Sequence, residues 1–135
     1  MPFRTLFRSS SAPKDGFTQP AREALVDILH YCMYADRHIS VAEDEAIEAV
    51  ARTLDWDPKV SYEYYEGKST GTVRAALNDA SLRQALFESI AERLTNPAHR
   101  TFALQIASDV MKADGLKKPE ERAALAELKT YLKAE

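Results

Sequence analysis

Hydrophobic residues along most of the chain recur every three or four positions, the spacing that places them on one face of an α-helix. In the first such stretch the apolar positions are Leu25, Ile28, Leu29, Cys32 and Met33. Similar stretches follow as far as residue 132, and no segment alternates in the way that a strand does. The pattern therefore predicts an all-α bundle of about six or seven helices joined by short links.

Helix-start signals divide the chain into these elements. Ser40 and Glu43 have the spacing of a capping box, in which each side chain binds a backbone N–H group of the other residue. Further starts are predicted at Thr18, Asp57, Asn96 and Pro119. The start at Asp57 predicts a short aromatic helix that ends before residue 66. Residues 1–17 lack periodicity, so we expect a flexible N-terminal arm followed by a helical domain over residues 18–135.

The first and last helical hairpins share their layout when they are compared at an offset of 78 residues. The apolar positions of the two hairpins coincide at this offset. The acids coincide too, because Asp36 falls on Asp114 and Glu43 falls on Glu121. Matching apolar spacing arises easily by chance, but spacing that also preserves two acids does so less often. The sequence therefore predicts two pseudo-repeated helix-link-helix units, with two unrelated hairpins as the alternative.

Charge and composition exclude several classes of protein. A net charge of −3 argues against nucleic acid as a partner. The apolar stretches are far shorter than the run of about 20 residues that crosses a bilayer, and the first residues lack the apolar segment of a secretory signal. The single cysteine, Cys32, excludes an internal disulfide. We therefore expect a cytoplasmic protein without a transmembrane segment.

Acidic residues are concentrated between residues 36 and 57, where seven acids accompany two arginines. Asp36 ends a predicted helix here, and Asp114 holds the same position in the last hairpin. A negative charge at a helix C-terminus is unfavourable by roughly 0.3–1 kcal/mol, so something should compensate for it. Two explanations remain open. Each Asp either turns back to cap backbone N–H groups, or helps carbonyl oxygens to bind a cation.

The segments "ADRHISVAEDEAI" (35–47) and "ADGLKKPEERAAL" (113–125) both place Ala-Asp before a short link and a Glu on the next helix. In this layout the chain resembles the TerB-like family, over residues 18–134. That family includes the tellurite-resistance protein TerB and the N-terminal region of a membrane-anchored DnaJ-type co-chaperone. Two departures from the family pattern matter. Arg37 replaces a favoured Gly, so we expect the first link to turn differently and its charge to weaken a cation site. Lys118 replaces the small hydroxyl residue in the second link.

The resemblance implies an all-helical domain that is not an enzyme and acts as an adaptor in a bacterial stress response of the tellurite type. It also implies a divalent-cation site built from Asp36, Glu43, Asp114 and Glu121, with Asp44 and Glu45 as helpers. Oxygen ligands favour Ca²⁺ or Mg²⁺ over zinc. Protein partners are implied as well, and a membrane-associated partner is one alternative. The alternative function is a protein-interaction or co-chaperone domain that binds no metal.

The remaining patterns give weaker indications of chemistry. The segment "EGKSTG" (66–71) imitates the end of a phosphate-binding loop, but Tyr62 stands where that motif needs its first Gly, so we expect an ordinary loop. Zinc binding is not expected, because the histidines have neither His-x3-His spacing nor a Cys partner. His30 shares a polar stripe with Asp27 and Tyr34. That stripe predicts a hydrogen-bonded contact or, alternatively, an extension of the acidic site.

Aromatic residues cluster between residues 56 and 65. We expect Trp56, Tyr62 and Tyr65 either to pack in the core or to form a docking patch for a protein partner, and both alternatives stay open. No nucleophile and base can be paired from the sequence, which agrees with a protein that is not an enzyme.

Overall fold

The computed structural model describes residues 16–112 and 118–133 of the chain, and within them it contains six helices and no strand. This confirms the predicted all-α bundle. The helices are α1 (Gln19–Met33), α2 (Val41–Thr53), α3 (Tyr62–Asn78), α4 (Ala80–Arg93), α5 (Pro97–Met111) and α6 (Pro119–Leu132). No helix in these two ranges combines the length and the apolar composition that crossing a bilayer requires.

Helix α1 lies at the centre of the bundle and contacts all five other helices. It begins where the sequence predicts, since the Thr18 hydroxyl accepts a hydrogen bond from the backbone N–H of Ala21 and Pro20 occupies the first turn. Its predicted inward residues are all buried, including Cys32. Because neighbours surround the helix, two polar side chains, Asp27 and His30, are buried with them.

The capping box at the start of α2 is confirmed. The Ser40 hydroxyl accepts from the N–H of Glu43 at 3.0 Å, and Glu43 Oε1 accepts from the N–H of Ser40 at 3.1 Å. At the other end of α2 the backbone turns through Asp55, which has a φ of 63°. This left-handed conformation ends the helix, and it is a conformation that glycine adopts more easily than aspartate.

The prediction of a short aromatic helix and a following loop is wrong. Helix α3 does not begin at Asp57; it begins after Ser61, whose hydroxyl accepts from the N–H of Tyr64, and it continues through residues 66–71 to Asn78. The two glycines of that segment, Gly67 and Gly71, lie on its exposed face. Each costs helix stability of about 1 kcal/mol, but the buried face offsets this with Tyr62, Tyr65, Ser69, Val73 and Ala76.

Helices α5 and α6 begin at their predicted positions, after the cap Asn96 and at Pro119, and α4 begins after the cap Asp79. The apolar stripe of α4 is buried at Leu86, Ile90 and Leu94. Leu82, four residues before Leu86 on the same helix, is 48% exposed. The first turn of α4 is therefore less covered than the rest of its apolar face.

The bounds of the two predicted repeat units agree closely. Helix α1 spans residues 19–33 and α5 spans 97–111, while α2 and α6 begin at residues 41 and 119. Both starting points, and the end of the first helix of each unit, differ by the same offset of 78 residues. Whether the two hairpins superpose in three dimensions stays a prediction.

The predicted N-terminal arm falls almost entirely on residues 1–15, which lie outside the described residues. Phe17, which was included in that arm, belongs to the core: it is 5% exposed. Its ring stacks on His99 with 4.0 Å between ring centroids and meets the edge of Phe102. The packed domain therefore includes residue 17.

Candidate functional site

The link after α1 is a tight turn built on Asp36. Its Oδ1 accepts a hydrogen bond from the backbone N–H of His38 at 3.1 Å, which is the capping role that was one of the two explanations for this acid. The next residue, Arg37, has a φ of 66°. Arg37 therefore adopts the left-handed conformation despite its Cβ, which removes the reason for expecting this link to turn differently. Its guanidinium group also donates to Asn78 Oδ1 on α3.

Glu43 and Glu121 lie next to each other where the two hairpins meet. Both side chains are fully buried. Burial and the neighbouring carboxyl of Glu43, which is within hydrogen-bonding reach, raise the pKa of Glu121 to about 8. Glu43 uses Oε1 in the capping box, whereas its Oε2 and both oxygens of Glu121 have no hydrogen-bond donor in the described part of the chain. Buried carboxylate oxygens without donors require a shared proton or a cation.

Lys118 brings a positive charge to the same place. Its Nζ lies 3.1 Å from Asp36 Oδ2 and 3.9 Å from Glu121 Oε2. Hydrogen bonding to Asp36 raises the pKa of Lys118, so the ammonium form is favoured there. The residue that was noted as a departure from the family pattern thus bridges the link of one hairpin and the second helix of the other.

Of the four predicted ligands, Glu43 and Glu121 are therefore brought next to each other, and Lys118 connects Asp36 to Glu121. The fourth, Asp114, lies outside the described residues. The two expected helpers are not part of this group, since Glu45 is exposed and Asp44 lies in a different cluster. We call the group of Asp36, Glu43, Glu121 and Lys118 the hairpin junction.

A second cluster of potential ligands joins three helices. His30 on α1, Asp44 on α2 and Glu66 on α3 place one ligand atom each within 4.8 Å of one another. His30 is fully buried, while the two acids are half-buried. Burial and a hydrogen bond with Asp44 raise the pKa of Glu66 to about 7. We call this group the three-helix cluster.

A chain of buried hydrogen bonds fixes the imidazole of His30 on its Nδ1 side. His30 Nδ1 lies 2.8 Å from the hydroxyl of Ser69, which donates to Asp27 Oδ1 at 2.6 Å. Asp27 Oδ1 also accepts from the hydroxyl of Tyr65 at 2.9 Å, and its Oδ2 pairs with the guanidinium of Arg93 at 2.6 Å. The hydrogen-bonded contact that the polar stripe of α1 predicted is confirmed in this arrangement.

Sequence reasoning missed the three-helix cluster because its members are far apart in the chain. The only sequence signal for this cluster was the polar stripe of Asp27, His30 and Tyr34 on α1. It indicated a role for His30 but did not identify Asp44 and Glu66 as its neighbours. Asp44 was expected at the other acidic group, and Glu66 was assigned to a loop. Since α3 runs through that loop as a helix, Glu66 faces α1 and α2 instead of solvent alone.

The aromatic residues that were considered as a docking patch are buried. Trp56, Tyr62 and Tyr65 are 8%, 2% and 7% exposed. Their rings pack on one another, with 5.2 Å between the ring centroids of Trp56 and Tyr62 and 5.7 Å between those of Trp56 and Tyr65. This burial favours the core-packing alternative, because little of their surface is open to a partner.

An open groove of about 500 Å³ lies along α3 and α4. Its wall is apolar at Ala85, Leu86 and the half-exposed Leu82, and it also carries the charged residues Glu23, Asp27, Lys68 and Arg93. The groove combines apolar surface with charges of both signs, a composition that suits a peptide segment or another helix better than a single ion.

Together these features define the class of the molecule as an all-helical bundle with two acid-rich centres, one at the hairpin junction and one joining three helices. Comparison of the chain with family models, with curated proteins and with solved structures finds no match. The resemblance to the TerB-like family therefore depends on the two quoted segments, and membership of that family stays a prediction.

Proposed function

We propose that the chain is a non-enzymatic TerB-like adaptor domain whose hairpin junction binds a divalent cation, Ca²⁺ or Mg²⁺, and that it serves in a bacterial stress response of the tellurite type. The observation that carries the cation part is the pair of fully buried acids, Glu43 and Glu121, with three oxygens that lack a donor in the described residues. The part that concerns the stress response and the adaptor role is supported only by the resemblance of the two motifs.

The geometry suits a hard cation for a specific reason. All the acidic groups at the junction offer oxygen atoms, the ligand type that Ca²⁺ and Mg²⁺ prefer. The ligands come from the link of the first hairpin, from α2 and from α6, so a bound ion would hold the two hairpins together. The ammonium group of Lys118 already lies between Asp36 and Glu121, and it would compete with the ion for their oxygens.

Thermal melting with and without each cation tests this proposal. Binding to the folded state alone adds about 2.7 kcal/mol at a hundredfold excess over Kd, so Ca²⁺ or Mg²⁺ should raise the melting temperature. Lys118→Gln should enlarge that gain because it removes the competing charge, and Glu121→Gln should reduce it. Glu120→Gln, an exposed neighbour on the same helix, is the matched control and should behave as the unmodified chain. No shift at millimolar cation in either the unmodified chain or Lys118→Gln would refute the cation site.

The groove along α3 and α4 supports the second candidate, a protein-interaction or co-chaperone domain that needs no metal. The half-exposed Leu82 in its wall is the specific observation in favour. In pull-downs from the native host, Leu82→Glu should then lose the partner while Glu121→Gln retains it. If the cation-dependent adaptor is correct, Glu121→Gln or a chelator should release the partner instead.

A further inference from the structure

The hydrogen bonds around Asp27 determine which nitrogen of His30 carries a proton. The carboxylate of Asp27 can only accept, and it takes hydrogen bonds from Tyr65, Ser69 and Arg93. Ser69 has a single hydroxyl proton, which it gives to Asp27. The Ser69 oxygen must therefore accept from His30, so Nδ1 carries the proton of the imidazole.

The other nitrogen of His30 is left with an unshared electron pair. Burial lowers the pKa of His30 to about 4, against the opposing influence of Asp27 and Asp44, so the ring is neutral near neutral pH. Its Nε2 is buried and has no hydrogen-bond partner among residues 16–112 and 118–133. Asp44 and Glu66 each place a carboxylate oxygen within 4.8 Å of a ring nitrogen of His30. A lone pair thus faces two further acceptors.

A single proton can be shared by two of the three groups, His30 Nε2 and the carboxylates of Asp44 and Glu66. A metal ion can be coordinated by all three. We propose that His30 Nε2, Asp44 and Glu66 bind a divalent transition-metal ion of the Zn²⁺ class at the junction of α1, α2 and α3. Imidazole as a ligand favours Zn²⁺, Co²⁺ or Ni²⁺ over Ca²⁺ and Mg²⁺. Three protein ligands leave a fourth position for water in tetrahedral geometry. The spacing of the histidines in the sequence argued against zinc binding. Such spacing detects only ligands that lie close together in the chain, and it cannot detect ligands from three separate helices.

The surroundings match what a metal-binding histidine needs. Such a residue donates its second ring N–H to a fixed acceptor, which orients the ring and raises the basicity of the ligand nitrogen. Ser69 is that acceptor here, and its hydroxyl donates to Asp27. Tyr65 and Arg93 fix the position of Asp27. The histidine is buried and held in place by its hydrogen bond, while Asp44 and Glu66 are half-buried, so an ion has access from the solvent side.

The proposed site is separate from the hairpin junction, although Glu43 and Asp44 are neighbours in the chain. Glu43 is fully buried and lies within hydrogen-bonding reach of Glu121, whereas Asp44 lies within 4.8 Å of the ligand atoms of α1 and α3. The two sites also differ in donor type, oxygen only at one and nitrogen with oxygen at the other. Variants of Glu66 and of Glu121 therefore distinguish them.

The experiment is a calorimetric titration with Zn²⁺, repeated with Co²⁺ so that visible absorption reports the coordination of the ion. It uses the full chain carrying His38→Gln, which removes an exposed histidine as a source of adventitious zinc binding. We expect one ion per chain, and at least about tenfold weaker binding in Asp44→Asn and in Glu66→Gln. Ser69→Ala should weaken binding by about 10–100-fold, because it removes the group that orients His30.

The controls are Glu45→Gln and Glu63→Gln, exposed acids on the same two helices as Asp44 and Glu66, which should bind as tightly as the background chain. Melting curves without metal establish that each variant is folded. The imidazole resonances of His30, followed by NMR, should shift on addition of Zn²⁺. Absence of binding at micromolar Zn²⁺, or equal affinity in Glu66→Gln and Glu63→Gln, would overturn the proposal. Loss of zinc in Glu121→Gln but not in Glu66→Gln would overturn it as well and place the ion at the hairpin junction.

Discussion

The carboxyl groups of Glu43 and Glu121 face each other in the core of the bundle, at positions that correspond in the two hairpins. Two neighbouring buried acids do not both ionise easily, since each charge is removed from water and repels the other. The result is a raised pKa of about 8 for Glu121, against an ordinary value of 4.5. This pair therefore links the stability of the fold to pH.

The first prediction is that stability without metal falls as the pH rises from about 5 to about 8. An acid with a raised folded-state pKa makes the folded chain bind more protons than the unfolded chain within this window, so unfolding is favoured as the pH rises. The raised pKa of Glu66, about 7, acts in the same direction. The lowered pKa of His30, about 4, opposes them below about pH 6.5, but one histidine does not cancel the effect of two acids. Urea denaturation in the presence of a chelator at about pH 5, 7 and 9 measures the slope.

The variant Glu121→Gln should flatten this pH dependence, because glutamine does not titrate and its amide can donate to Glu43. At about pH 9 it should be more stable than the unmodified chain by at least about 1 kcal/mol, the free energy of roughly one pKa unit. Glu120→Gln is exposed and should keep the original slope. A stability that rises over this pH window in the unmodified chain would contradict the assignment.

A second prediction concerns the glycines of α3. A Cβ added at Gly67 or Gly71 meets nothing within 4 Å, and both residues are helical. Gly67→Ala and Gly71→Ala should each therefore raise the free energy of unfolding by roughly 0.5–1 kcal/mol. Chemical denaturation provides the measurement. Loss of stability in both variants would show that α3 is not a continuous helix through residues 66–71.

A third prediction concerns the end of α2. Asp55 is exposed, has a φ of 63° and places a negative charge at a helix C-terminus. Asp55→Gly should stabilise the protein by roughly 1 kcal/mol, because glycine adopts this conformation without steric cost and removes the unfavourable charge. Asp55→Ala removes the charge but keeps a Cβ, so it is the control for the steric part of the effect. Equal melting temperatures for the two variants would argue against backbone strain at this position.

A fourth prediction concerns the ion pair behind His30. Asp27 is 4% exposed, and Arg93 is the only cation paired with it among the described residues. Arg93→Met should destabilise the fold by roughly 3 kcal/mol, since it leaves a buried carboxylate without its partner. Arg52→Met breaks two exposed ion pairs, with Glu48 and Glu63, and should cost less than about 1 kcal/mol. Similar losses in the two variants would show that Asp27 does not depend on its partner.

Local sequence patterns were sufficient to predict the helices of this protein and most of their bounds. The capping box of Ser40 and Glu43, the cap at Thr18 and the Asn96–Pro97 pair act within one turn of chain, so their effect can be predicted without knowing the fold. The inward face of α1 follows from apolar spacing for the same reason. The 78-residue offset also identified Asp36, Glu43 and Glu121 as candidate ligands of one kind of site.

Local rules failed where packing opposed them. Residues 66–71 contain two glycines and suggest a loop, yet the buried face of α3 against α1 and α4 stabilises a helix there. Arg37 lacks the conformational freedom of glycine, yet it takes a left-handed conformation while its guanidinium group bonds Asn78 on α3. In both cases contacts between distant residues outweigh a local preference of about 1 kcal/mol.

Which polar groups meet depends on how the helices pack in three dimensions. Lys118 joins Asp36 and Glu121 because the link of one hairpin lies against the start of α6. His30, Asp44 and Glu66 come from three helices, and no spacing along the chain connects them. The physical reason is that hydrogen bonds and charges act over a few ångströms in space, whereas sequence patterns record only neighbours within a turn or two of the same element.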